Sequence, residues 1–153
     1  MAGADPHWPT EVGGPDRPAG SRTIDELLAR VRSRIERVEP AVAWGRLTVG
    51  ALLVDTRPAE QRNRDGEVPG AVVIDRNVLE WRLDPASPDR LPEVTGYDLE
   101  ILVLCNEGYS SSLVADTLRT LGLTRTVDVI GGFVAWAASG LPIVRGRAAE
   151  AAA

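Results

Sequence analysis

The stretch Ile101-Leu102-Val103-Leu104-Cys105-Asn106-Glu107-Gly108-Tyr109-Ser110-Ser111-Ser112 changes character at the only cysteine of the chain. Ile101 to Leu104 is apolar and partly β-branched, the pattern of a strand buried on both faces. From about Ser110 onward, Leu113, Val114, Leu118 and Leu121 recur at helical spacing. Cys105 therefore falls in the turn between the carboxyl end of a strand and the N-terminus of a helix. Backbone N–H groups and the helix dipole favour anions there. A free thiol titrates near 8.5, and helix N-termini can bring that to between roughly 3.5 and 7.5. The position thus favours the nucleophilic thiolate.

Working outward, strands and helices alternate. Residues 51–55 (Ala-Leu-Leu-Val-Asp) read as a buried strand, and residues 71–74 as a second, entered through a Pro69-Gly70 turn. Asn77 is placed to cap a short helix through Val78, Leu79, Trp81 and Leu83 that stops before Pro85. Residues 127–130 read as a further strand, and Gly131-Gly132 leads into a helix over 133–138. Near the start, Ile24, Leu27, Leu28, Val31, Ile35 and Val38 form one stripe, predicting an amphipathic helix over 23–38. Thr23 with Glu26 reads as its capping box. Pro40 ends that helix and opens another to about Val49. The alternation predicts an α/β fold, an open parallel sheet of about five strands with helices on both faces. Ligands bind such sheets at the carboxyl ends of strands, where Asp55, Asp75, Cys105 and Gly131 all fall.

The whole chain sets the limits. Its 153 residues, 44% hydrophobic and 25% charged, suit one globular domain. Residues 1–20, rich in Pro, Gly and charge, read as a disordered tail; 21–146 form the domain, and 147–153 fray. A net charge of −5 argues against nucleic acid or an anionic membrane as partner. No run is long and apolar enough to span a bilayer, and the N-terminus lacks a signal-peptide pattern. A lone cysteine excludes an internal disulfide and suits the reducing cytoplasm. The single histidine, His7, lies in the tail. Cysteine–histidine catalysis, serine hydrolysis and metal binding therefore all lack a partner residue. Trp81 and Trp136 read as core, and Asp55 as a structural carboxylate bonded to turn amides.

Four segments resemble the single-domain rhodaneses, the thiosulfate sulfurtransferases. They are Leu53-Val54-Asp55-Thr56-Arg57-Pro58-Ala59-Glu60, Gly66-Glu67-Val68-Pro69-Gly70-Ala71, Cys105-Asn106-Glu107-Gly108-Tyr109-Ser110-Ser111, and Gly131-Gly132-Phe133-Val134-Ala135-Trp136 with Gly140-Leu141-Pro142. The resemblance spans roughly residues 23–145. It implies a rhodanese-like sheet with Cys105 as the catalytic nucleophile and no cofactor. Sulfane sulfur would pass from a donor such as thiosulfate or a persulfide, through a Cys105 persulfide, to a thiol or cyanide acceptor. A sulfur-relay protein is a further candidate partner. Asn106, Glu107, Gly108, Tyr109, Ser110 and Ser111 would form the cradle, with Gly108 supplying positive φ. Ser110 can donate to the sulfur, Ser111 can cap the helix, and Ser112 reads as cap and turn.

This loop departs from the family by carrying no arginine: Asn106 and Ser110 stand where many sulfurtransferases place one. A loop without a cation is a weak receptor for doubly charged thiosulfate. The nearest candidates for the missing charge are Arg57 and Arg82. Arg57 has a competing structural role, for example an ion pair with Glu60. Glu67 replaces the family's histidine in the Pro-Gly turn and carries no catalytic role. Two other readings stay open. A phosphatase or arsenate reductase needs a loop one residue longer, closed by an oxyanion-clamping arginine, and Ser111 stands there. A non-catalytic binding or sulfur-carrier module would tolerate the missing cations.

Overall fold

A computed structural model describes residues 16–146. The expected frayed end at 147–153, and all but the last five residues of the expected tail, lie outside the described residues. Eleven elements follow in order: α1 (Ile24–Arg32), β1 (Glu36–Val38), α2 (Pro40–Thr48), β2 (Leu52–Asp55), α3 (Ala59–Asp65), β3 (Val72–Val73), α4 (Leu79–Leu83), β4 (Ile101–Leu104), α5 (Ser110–Thr120), β5 (Thr126–Val129) and α6 (Gly132–Ala138).

The five strands form one all-parallel sheet in the order β1-β5-β4-β2-β3. β4 is central, and its four residues are all buried. Strand alternation divides them between two cores. Ile101 and Val103 pack with Val31 of α1, Leu79 and Leu83 of α4, and Val114, Ala115 and Leu118 of α5. Leu102 and Leu104 pack on the other face with Ala43 of α2 and Phe133 and Trp136 of α6. The expected α/β sheet covered on both faces is therefore present. No helix among the described residues is long and apolar enough to cross a membrane.

The helix expected over 23–38 is two elements. Its capping box is formed: Thr23 Oγ1 accepts from the Glu26 N–H, and the Glu26 carboxylate accepts from the Thr23 N–H. The helix ends at Arg32, and residues 36–38 become an edge strand paired with β5. The reason lies in where the apolar residues go. Val31 and Ile35 enter one core and Val38 the other, on opposite faces of the sheet. One straight helix cannot serve both faces. Pro40 adds a local constraint by favouring extended backbone before it, and Glu39 has ψ 153°.

Smaller corrections follow from local bonding. The α4 helix is capped by Val78 rather than Asn77, because Asp75 Oδ1 accepts from the Asn77 N–H at 2.8 Å and holds it in a turn. Trp81 is 60% exposed rather than core, whereas Trp136 is fully buried. α3 buries no residue. It therefore has no apolar stripe from which to be anticipated.

Candidate active site

Cys105 follows β4 at its carboxyl end, is 6% exposed, and sits at the floor of the 105–110 loop. The Gly108 N–H donates to Cys105 Sγ at 3.1 Å. Gly108 reaches this position with φ +84°, a backbone region that L side chains rarely enter.

The amides face inward because the carbonyls are held outward. The Leu104 carbonyl accepts from the Thr56 N–H at 2.9 Å and from Thr56 Oγ1 at 3.1 Å. The carbonyls of Cys105 and Asn106 accept from the Phe133 and Val134 N–H groups at the start of α6, at 2.8 and 3.0 Å. The Gly108 carbonyl accepts from Arg32 Nη2 at 2.8 Å and Arg37 Nη2 at 3.2 Å. In a planar trans peptide the N–H points opposite to the C=O. Fixing these carbonyls outward turns the Asn106, Glu107 and Tyr109 amides to the inside. None of the amides of Asn106, Glu107, Tyr109, Ser110 and Ser111 donates to another group among the described residues. With the N-terminus of α5, these amides give the loop around Cys105 a local environment that favours an anion.

The Gly131-Gly132 pair makes this arrangement possible. A Cβ on Gly132 would lie 2.5 Å from the Cys105 carbonyl oxygen, and one on Gly108 would lie 2.7 Å from the Gly131 nitrogen. Only glycines permit the two segments to approach so closely.

Asn106, Glu107, Gly108, Tyr109, Ser110 and Ser111 are thus assembled with Cys105 on one loop. Ser110 is exposed and opens α5. Ser111 does not cap that helix, because Tyr109 occupies the N-cap position. The Ser111 hydroxyl turns inward and donates to Asp128 Oδ2 at 3.2 Å. Ser112 is buried rather than a turn residue, and its hydroxyl donates to the same oxygen at 2.7 Å.

Among the described residues, neither Arg57 nor Arg82 makes a hydrogen bond to this loop. Arg57 is 2% exposed and pairs with Asp55, not Glu60: Nη2 lies 2.8 Å from Asp55 Oδ2 and 2.8 Å from the Gly66 carbonyl. Asp55 also accepts the Arg57 N–H at 3.0 Å, the turn-amide role expected of it. The Arg57 guanidinium lies 3.6 Å from the Phe133 ring centroid. Arg57 therefore packs against α6, whose amides hold the loop. Arg82 donates to the Asp89 carbonyl at 2.6 Å. Its neighbour Trp81 lines a groove with Leu121, at the end of α5 away from Cys105.

The cations that do reach the loop, Arg32 and Arg37, were not anticipated. Arg37 Nε donates to Asp128 Oδ1 at 2.9 Å, and Asp128 is fully buried. Arg37 and Asp128 are register partners on β1 and β5. A hint lay in the sequence: Asp128 interrupts the apolar run Val127-Asp128-Val129, and a buried carboxylate requires a partner.

A cysteine at the carboxyl edge of a parallel sheet, cradled by backbone amides at a helix start, defines the class of protein. The rhodanese-like domain profile matches residues 39–139, and the chain belongs to that family. It is 32% identical over 108 residues to the thiosulfate sulfurtransferase GlpE of Haemophilus influenzae, covering 71% of this chain and 93% of that protein. A sulfurtransferase of Allochromatium vinosum is 32% identical over 98 residues, 63% of this chain and 81% of its own length. Among solved structures, a Rhodopseudomonas palustris protein of unknown function, called a possible tyrosine phosphatase, superposes with a TM-score of 0.74 at 32% identity, covering 86% of this chain and all of that one. The polysulfide-sulfur transferase of Wolinella succinogenes shares the fold with a TM-score of 0.65 at 20% identity, covering 79% of this chain and 86% of that one.

Proposed function

We propose that the protein is a sulfurtransferase that carries sulfane sulfur as a Cys105 persulfide. The observation behind this is the Gly108 N–H aimed at Cys105 Sγ at 3.1 Å, within a loop whose remaining amides are free to receive an anion. Two relatives named as sulfurtransferases support the same reading.

The Cys105 thiolate attacks the outer sulfur of a donor such as thiosulfate or a persulfide. A new S–S bond forms as the donor's S–S bond breaks. Sulfite, or the donor thiolate, leaves with the electron pair. A thiolate or cyanide acceptor then attacks the outer sulfur and releases the Cys105 thiolate. No net redox change occurs within the protein, and no base is consumed. The inward amides would hold the persulfide anion between the two steps. A lone thiol used this way suits a reducing compartment such as the cytoplasm.

Incubation with thiosulfate or a persulfide donor, followed by intact-mass measurement, tests this reading. A gain of one sulfur atom, absent in Cys105→Ser, is expected. No adduct from any sulfane donor would favour a non-catalytic binding module on the same fold.

The phosphatase suggestion attached to the Rhodopseudomonas protein gives a second reading to weigh. Phosphatase chemistry needs an arginine six residues after the cysteine to clamp a tetrahedral oxyanion. Ser111 stands there and is bonded to Asp128. Hydrolysis of p-nitrophenyl phosphate above the Cys105→Ser background is not expected, and its appearance would reverse this conclusion.

A further inference from the structure

The loop around Cys105 contains no cation, yet two guanidinium groups stand against its outer rim. Arg32, in the last turn of α1, donates from Nη2 to the Gly108 carbonyl and from Nε to Ser112 Oγ at 3.1 Å. Its guanidinium carbon lies 5.6 Å from the Tyr109 ring centroid. Arg37, on β1, reaches the same carbonyl and pairs with Asp128. Ser112 completes the circuit by donating to Asp128. Within this part-buried circuit two guanidiniums face one carboxylate. The exposed carboxylate of Glu107 lies on the loop itself.

We propose that Arg32 and Arg37 are positioning residues for the Cys105 loop and that they set its preference for anionic over neutral sulfur donors. They act in two ways through one carbonyl. Holding the Gly108 C=O outward fixes the Gly108–Tyr109 peptide with its N–H inward. The half-buried charges also polarise that peptide and raise the potential at Cys105, where screening by solvent is incomplete. The positive charge missing from the loop's sequence thus arrives from two elements about 70 to 80 residues upstream, at sequence separations of 76 and 71.

The sulfurtransferase reading supplies the identity of the donor but does not enter the test. Because the chain has one cysteine, alkylation of the intact protein reports on Cys105 alone. Rates with iodoacetate, an anion, are compared with rates for neutral iodoacetamide. In the wild type, rising salt slows iodoacetate more than iodoacetamide. In Arg32→Gln the iodoacetate-to-iodoacetamide ratio falls about five-fold, the size expected for losing one nearby, partly screened charge. Arg32→Lys retains most of the ratio by keeping the charge. A purely structural role would alter both rates together.

An unchanged ratio in folded Arg32→Gln overturns the proposal. So does a wild-type iodoacetate rate that ignores salt, and that measurement decides alone if the variant does not fold. Failure to load sulfur would sink the sulfurtransferase reading and leave this one standing. Sulfur loading with an unaltered alkylation ratio would do the reverse.

Discussion

Gly108 meets three constraints at once. Its φ is +84°, its N–H serves Cys105 Sγ, and its carbonyl serves two guanidiniums. A Cβ at this position would also meet the Gly131 and Gly132 nitrogens at 2.7 and 3.2 Å. Those atoms cannot yield easily, because Gly132 itself lies against the Cys105 and Asn106 backbone. In the structure Gly108 is buried against α6. Gly108→Ala is therefore expected to lower stability by about 1–3 kcal/mol, the usual cost of forcing a side chain into this backbone region. Gly108→Val is expected to lower it further, with sulfur loading lost in both. Thermal melts alongside intact mass would check this, and a wild-type melting midpoint for Gly108→Val would contradict it.

At the scale of the element, β1 carries two ion pairs with very different expected weights. Arg37 and Asp128 face each other across the sheet, with side chains 21% and 0% exposed. Removing the arginine leaves a buried carboxylate bonded only to serine hydroxyls. Arg37→Met is expected to cost about 3 kcal/mol, the lower end of the range for breaking a buried pair, because Arg37 itself is partly solvated. Glu36 lies one residue earlier and points to the opposite side, pairing with Arg46 at 31% and 54% exposure for Arg46 and Glu36. Arg46→Met is expected to cost no more than about 1 kcal/mol. Urea titrations of the two variants would separate them, and equal losses would refute the assignment of Asp128 as the buried anchor of the loop.

Across the whole molecule, β4 is the shared wall of two cores. Ile101 and Val103 face one, Leu102 and Leu104 the other, and all four are inaccessible to solvent. Opening β4 exposes both cores at once, so its amides should exchange only through global unfolding. β3 is an edge strand of two residues, with Val73 41% exposed. Its amides should exchange through local opening. Native-state hydrogen exchange is expected to rank Leu102 and Val103 among the slowest amides and those of β3 among the fastest. Comparable rates for the two strands would show that the sheet does not unfold around a common centre. The placement also anchors the candidate site, because Cys105 directly follows the central, fully buried strand.

The local pattern of this chain determined its parallel α/β sheet, the position of Cys105 and the glycine-bearing loop that follows it. Those features are written in contiguous residues: an apolar run, a turn, a helical stripe. Three of the larger departures from that reading have separate physical reasons. α3 buries nothing and leaves no apolar stripe. The 36–38 segment carries helical spacing, but Ile35 and Val38 enter cores on opposite faces of the sheet, so the stripe breaks into a helix and an edge strand. The family resemblance points to Arg57, and the short helix after the second strand to Arg82, as the cations of the site. Arg57 is taken up by Asp55, and the guanidiniums at Gly108 belong to Arg32 and Arg37. The position of Cys105 is a local property. The charge around it depends on which strand lies beside β5, and only the packing of the tertiary structure decides that.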